Sequence, residues 1–335
     1  MQGKLLGQMS SLGFSIKEQT HLTNLTLDVL KSSEIEGEKL NEDQVRSSIA
    51  RRLGMEYAGM TPSGRDVEGV VEMMLDATQK CKDPLDEDRL FGWHAALFPG
   101  GRSGMYKIVT GRYRDGEVQV VSGPFGKEKV HYQAPSPETV KKEMDQFLEW
   151  FNSDTPIDPV LKVAIAHFWF IIIHPFEDGN GRIARALSDM LLSRMDEAPY
   201  RYYSLSSQIL VERKQYYEIL QQSQHSDGEI TAWLDWFLTC LNRSLESSQE
   251  LILNVLHKTM FWENHKETDF NARQRLMLNK LLDGIDGKLR SSKWAKMAKC
   301  SADTALRDIK DLIQKGILEQ EESGGRSTNY KLVHF

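Results

Sequence analysis

The stretch IIIHPFEDGNGRIAR, residues 171–185, sets a histidine, two acids, two glycines, an asparagine and two arginines directly behind an apolar run. Burial alone cannot account for that order. Pro175 disfavours helical geometry at the residue before it, so a buried helix is expected to end at His174. Gly179 and Gly181 permit backbone conformations that turn consecutive N–H groups toward one point. A new helix beginning near Gly181 aims its positive N-terminal end at that same point. Arg182 and Arg185, three residues apart, are neighbours on such a helix. The combination suits phosphate. Asp178 adds the hard oxygen that magnesium takes alongside substrate phosphates, and His174, at the end of a rigid helix, is placed to accept a proton. Taken singly, a glycine-rich helix start or a histidine cap is ordinary; the weight lies in their conjunction between His174 and Arg182. The residues themselves specify phosphate, metal ion and base, and leave open which phosphorus is attacked.

The elements that must hold this loop are legible around it. VLKVAIAHFWFIIIH is apolar almost all round, as the buried centre of a helical bundle is, and Asp158 with Pro159 marks its start. Before it, SPETVKKEMDQFLEWF opens with Ser136 as a cap and Pro137 in the first helical position. From about Gly100 to Pro137 short β-formers alternate with turn residues, in GEVQVVSG and KVHYQAP, which predicts a β-hairpin in a helical context. The first eighty or so residues space Leu22, Leu25, Leu27, Val29 and Leu30 for a helix ahead of SSEIEGE, predicting a helical hairpin or small bundle. Beyond about Lys266 come three more helical segments and two short strands around Ser323, Gly324 and Gly325, the pattern of a winged helix-turn-helix. The fold class is therefore mainly α, with domains expected at 1–88, 89–262 and 263–335.

A formal net charge of -6 gives no reason to expect a globally basic nucleic-acid binder or a membrane-surface protein. No uninterrupted apolar stretch reaches the length of a spanning helix, and the N-terminus lacks the order of a signal peptide, so a cytoplasmic protein is expected. Cys81, Cys240 and Cys300 lack CxxC or metal-ligand spacing and are expected to be small, buried, reduced core residues.

HPFEDGNGR, His174 to Arg182, together with Arg185, resembles the full signature of the Fic family. The similarity extends to LFPGGRSGMYKIVTGRYR, VHYQAP and YYEIL, across most of residues 90 to 260. SSEIEGEKL and the terminal winged helix resemble the flanking parts of one bacterial subgroup. The resemblance implies a Fic helical bundle with a β-hairpin flap, and transfer of AMP from ATP to a Ser, Thr or Tyr hydroxyl of a target protein, itself included, with release of pyrophosphate. The choice of the α-phosphate rests on the family. His174 would be the general base and Asp178 the magnesium ligand. The backbone of Gly179, Asn180 and Gly181, with Arg182, would cradle the phosphates, while Phe176 anchors the loop. Tyr216 and Tyr217 would line the adenine pocket, although tyrosines at helical spacing serve equally as packing residues. Gln224 stands where relatives carry Asn and is left outside the site.

Ser32 and Glu36 in SSEIEG lie one helical turn apart, and the segment resembles the family's inhibitory S/T-x-x-x-E-G/N motif. Glu36 would pair with Arg185, the arginine that should grip the ATP γ-phosphate, leaving ATP an unproductive pose. The plainer reading is a capped, solvated helix end. The hairpin from Val118 to Tyr132 would align a target segment along its edge. In the tail, KLRSSKWAKMAK is basic, but Asp303, Asp308 and Asp311 on the recognition helix would repel phosphates, so dimerisation or target recruitment is expected ahead of DNA binding. A homodimer is among the assemblies expected; a membrane partner is not. Two competing readings remain: a Fic enzyme that removes AMP or moves another phosphate-bearing group, and a winged-helix transcription regulator with a nucleotide-sensing Fic core. The chain also begins close to its first helix, as it would if an upstream portion found in relatives were missing.

Overall fold

A computed structural model of the chain describes residues 14–55, 61–122, 129–196, 201–285, 287–321 and 328–333. Two compact units are formed, by residues 1–249 and 250–335. Among the described residues no helix is long and apolar enough to cross a membrane.

The first unit runs α1 (Phe14–Ile35), α2 (Glu42–Arg52), α3 (Arg65–Gln79), α4 (Glu87–Leu97), β1 (Arg102–Ser103), β2 (Tyr106–Lys107), β3 (Gln119–Ser122), β4 (Lys129–Gln133), α5 (Pro137–Asn152), α6 (Pro159–Ile173), α7 (Asn180–Asp196), α8 (Leu205–Val211) and α9 (Arg213–Gln224). The next helix, α10 (Thr231–Asn264), contains the division between the units. The bundle centres on α6, whose Val163, Ala164, Ala166, Phe170 and Ile173 are all buried. Asp158 starts it by accepting the Val160 N–H at 2.9 Å, and Pro159 takes the first position, where its missing N–H costs nothing. Ser136 stands at the N-cap of α5 as expected, but its hydroxyl turns to Glu138 instead of the helix backbone. Phe147 of α5 packs against both Phe151 and Phe170, and α7 packs along α6.

Each sheet is a two-stranded antiparallel ribbon, β1 with β2 and β3 with β4. In the second, Gln119 pairs Gln133 and Val120 pairs Tyr132, with a bulge between Val120 and Val121. Its tip lies outside the described residues.

α1 packs on α2, α8 and α7. A buried charge network fastens it there: Arg201 reaches Asp28 of α1 at 2.6 Å and Asp189 of α7 at 2.5 Å, and Ser204 donates to Asp28 at 2.6 Å. One guanidinium serves two carboxylates, and burial holds both carboxyls above their usual range, Asp28 at about 7.

The second unit contains α11 (Ala272–Leu282), α12 (Ser291–Met297), α13 (Ala302–Gln314), β5 (Leu318–Gln320) and β6 (Tyr330–Leu332), the last two antiparallel. Asn271 and Gln274 cap α11 reciprocally, and Lys299 takes a left-handed conformation (φ 48°) in the turn between α12 and α13. Phe261, Met277, Leu278, Trp294, Ile309 and Leu312 form its core. The residues expected at the strand turn, Ser323 to Gly325, lie outside the described residues. Of the three acids expected to face phosphates from α13, one turns inward. Asp308 is 4% exposed and faces inward onto Arg273 at 2.8 Å, and Asp311 is held by Lys315 and Gln274, each at 2.7 Å. Asp303 stays on the exposed face beside Arg307 and Lys310, and the Asp311 side chain remains 43% exposed. The cysteines also depart from expectation: Cys240 is buried, but Cys81 and Cys300 are half-buried.

Candidate active site

α6 ends at His174 in a left-handed backbone, φ 50° and ψ 57°, which a residue with a Cβ adopts only under constraint. Its N–H still closes the helix on Phe170 O at 3.0 Å. The ring Nδ1 lies 3.2 Å from the Ile171 carbonyl. A carbonyl can only accept, so in the neutral ring Nδ1 carries the proton and Nε2 offers its lone pair. The residue as a whole is half-buried, yet its surroundings exclude enough water that burial pushes the imidazole down to about 4, and the Arg114 charge acts in the same direction. His174 is therefore a neutral base near pH 7.

The loop that follows is braced from below and within. Phe176 is fully buried and stacks on His94 at a centroid distance of 4.2 Å. Asn180 folds its side chain back onto the loop, accepting the Phe176 N–H at 3.0 Å and donating to the Phe176 carbonyl at 2.8 Å. Glu177 accepts the Val109 N–H at 3.0 Å, so the first acid of the motif ties the loop to the preceding chain. Gly179 has φ 83°, and a Cβ there would come within 2.9 Å of the Phe98 ring. Helix α7 starts at Asn180, and the first N–H groups of a helix have no partner within it. These groups and the helix dipole make an anion site.

Both arginines of the motif are buried and already engaged. Arg185 donates from Nη2 to Glu36 Oε1 at 2.7 Å and to the Ser32 carbonyl at 2.9 Å, and from Nε to Ser32 Oγ at 2.9 Å. Arg182 donates from Nη1 to Glu38 Oε2 at 2.7 Å and lies 4.8 Å over the Phe98 ring. Its Nε is buried without a partner among the described residues, a donor with no acceptor. Glu36 sits directly over Gly181, where a Cβ would fall 2.1 Å from Oε1. The end of α1 makes this possible: Gly37 turns the chain at φ 87° and the Glu38 N–H returns to the Ser33 carbonyl at 3.0 Å.

Asp178 accepts the Gly179 N–H at 2.6 Å on Oδ1 and the Ser103 hydroxyl on Oδ2. Among the described residues no group of three His, Cys, Asp or Glu could hold a metal. One carboxylate, a hydroxyl beside it and an adjoining anion site fit a magnesium ion that draws its remaining ligands from phosphate and water. A cavity of about 470 Å³ lined by Glu38, Phe98, Ser103 and Arg182 opens beside them.

The structure thus brings His174, Asp178, Gly179, Asn180, Gly181, Arg182, Arg185, Ser32 and Glu36 together. Tyr216 does not line an open pocket. It is 1% exposed, and its hydroxyl is satisfied by His167 Nε2 at 2.9 Å, which makes it a core residue of α9. Tyr217, the next residue, is 39% exposed, and its hydroxyl lies 3.4 Å from Glu36 Oε2 and from the Ile35 carbonyl. Glu38, Ser103, Arg114 and Tyr132 had no role in the sequence reading. Glu38 was the accessible one: it stands two residues after Glu36, as Arg182 stands three before Arg185.

Residues 84–192 match the Fic/DOC family, and residues 1–55 match a domain of unknown function, DUF4172. A protein adenylyltransferase Fic from Nematostella vectensis is 31% identical over 146 residues, covering 42% of this chain and 30% of that one. A protein of the same name from Drosophila grimshawi is 27% identical over 223 residues, covering 63% and 40%. The chain therefore matches well under half the length of these curated relatives. Among solved structures, a Fic family protein from Desulfovibrio desulfuricans G20 superposes with a TM-score of 0.54 at 20% identity, over 99% of this chain and 93% of that one, a likeness of fold.

Proposed function

From the match of residues 84–192 to the Fic/DOC family, we propose that the chain is a protein adenylyltransferase restrained by its own N-terminal region. The observation that carries the reading is the meeting, in one loop, of a neutral imidazole, a carboxylate and a helix N-terminus flanked by two buried arginines.

A target hydroxyl placed beside His174 gives its proton to Nε2 as its oxygen bonds to the α-phosphorus of ATP. The bond from that phosphorus to the bridging oxygen breaks, and pyrophosphate leaves with the electron pair. The N–H groups at the start of α7 and Arg182 hold the phosphates against their charge, and Arg185 is the grip for the γ-phosphate. Asp178 would hold the magnesium ion, which when bound neutralises phosphate charge. Tyr217 remains the one tyrosine of the pair accessible to a nucleotide. The edge of the β3–β4 ribbon is the surface on which an extended target segment would lie, the acceptor being a Ser, Thr or Tyr of another protein or of this chain.

Glu36 is the brake. Its bond to Arg185 uses the group that would orient the γ-phosphate, and Glu38 does the same to Arg182. The domain plan that goes with this reading is a restraining region at 1–88, a catalytic domain at 89–262 and a recruitment or dimerisation domain at 263–335, in a cytoplasmic protein. Intact-mass analysis of a Glu36→Gly variant incubated with ATP and magnesium tests it: addition of AMP to protein is expected. Loss of AMP from a pre-modified protein would favour the reverse reaction. Unmodified protein with a salt-sensitive DNA gel shift would favour a nucleotide-sensing regulator.

A further inference from the structure

We propose that Arg114 is the positioning residue of the general base: its guanidinium holds His174 in the left-handed turn and ties that turn to the foot of the β3–β4 ribbon. This rests on the adenylyltransferase reading for its catalytic meaning, while its structural half can be measured without it.

Arg114 is buried, yet among the described residues no carboxylate pairs with it. Burying a guanidinium without an anion is costly, so a structure keeps one only where its hydrogen bonds are needed. Here they all run to main-chain carbonyls. Nε donates to His174 O at 2.8 Å, Nη1 to Gly116 O at 2.9 Å and Nη2 to Pro135 O at 2.6 Å, while its own N–H donates to Pro175 O at 2.9 Å. Both carbonyls of the strained His174–Pro175 turn are thereby fixed by one residue. Gly116 precedes β3 and Pro135 follows β4, so the other two bonds span the two ends of the ribbon. Tyr132 of β4 adds a second tie, its hydroxyl donating to the Ile172 carbonyl at 2.8 Å.

The planar fork is what this arrangement requires. Three carbonyls in three directions match the fixed donors of a guanidinium, whereas an ammonium is a point charge. The consequence is that the base and the surface proposed to receive the target form one rigid piece. A hydroxyl registered on the ribbon edge is then registered to Nε2 as well.

The test uses Arg114→Lys and Arg114→Gln in the Glu36→Gly chain of residues 1–335. With ¹⁵N-labelled histidine, NMR should show His174 protonated on Nδ1 in the parent and a mixture of tautomers in both variants. Turnover at saturating ATP should fall about 100-fold, the scale of a 1 Å misplacement of reacting groups, while ATP affinity by calorimetry stays within about twofold, because the anion site is untouched. The acid limb of the rate profile should rise in Arg114→Gln and stay put in Arg114→Lys, which keeps the charge. An Arg114→Lys variant with the parent's tautomer and turnover within twofold overturns the proposal, as does ATP binding lost in step with turnover. A parent that transfers no AMP removes the adenylyltransferase reading and leaves the tautomer measurement to decide on Arg114.

Discussion

The receiving half and the occupying half of the arginine site are built in opposite ways. Arg182 and Arg185 are almost fully buried on α7, beneath a loop braced by Phe176, Asn180 and Glu177. The carboxylates that meet them stand just past the C-terminal end of α1, beyond the last helical residue, with side chains 30% exposed at Glu36 and 45% at Glu38. Rigid cations facing accessible anions make a contact that can be undone from one side. Withdrawing the acids leaves the receiving site as it was, whereas disturbing the arginines would disturb the core.

The sharpest way to break that contrast is to remove the proposed base, His174. In the Glu36→Gly background, His174→Ala should lower AMP transfer by about 10³-fold, within the usual range for general-base catalysis, while ATP binding measured by calorimetry persists. A transfer rate close to the parent's would take the imidazole out of the reaction.

Next in size is Glu36→Gly itself. Freeing Arg185 of a charge-assisted hydrogen bond should raise transfer roughly 10- to 100-fold over the unaltered chain, with thermal stability changed little because the acid is accessible. A large drop in melting temperature would mean that the two halves are one structural unit after all. Glu38→Gln should act in the same direction but by only about two- to fivefold, as expected of a more exposed ion pair. Combined with Glu36→Gly it reports whether the two contacts are independent.

The smallest effect concerns pH. The base is inactive when protonated, and burial has lowered the His174 pKa to about 4. The rate should therefore stay flat on acidification from neutrality and be lost only as pH falls through about 4. An acid limb near 6.5 would show that water reaches the ring.

What was legible beforehand follows from distance along the chain. The loop's chemistry lies in consecutive residues, so the glycines, the proline and the two arginines announced their geometry through local rules. The pairing of Glu36 with Arg185 was expected from the likeness of SSEIEG to an inhibitory motif, since spacing alone fits a plain helix end equally well. Ser103 and Arg114 were not: each acts on the loop from far back in the sequence through a tertiary contact, and a serine or arginine in a turn-rich stretch carries no local mark of its partner. Tyr216 was misplaced for a different reason. Two adjacent tyrosines on a helix point about 100° apart, and the sequence does not say which of them meets the core. The same uncertainty of phase made Asp308 look like a surface acid, when it faces inward onto Arg273. The mainly α fold itself was plain from the apolar run of α6 and its capped start.

The network of Arg201 with Asp28 and Asp189 limits how the contact of Glu36 with Arg185 can be undone. If α1 detached as a body, three charged groups that now compensate one another away from water would lose their partners, a penalty of several kcal/mol. Between Asp28 and Gly37, in contrast, only about two turns of helix must unwind to carry Ser32, Glu36 and Glu38 off the arginines. The helix is a moored post whose tip can be peeled without disturbing its foot.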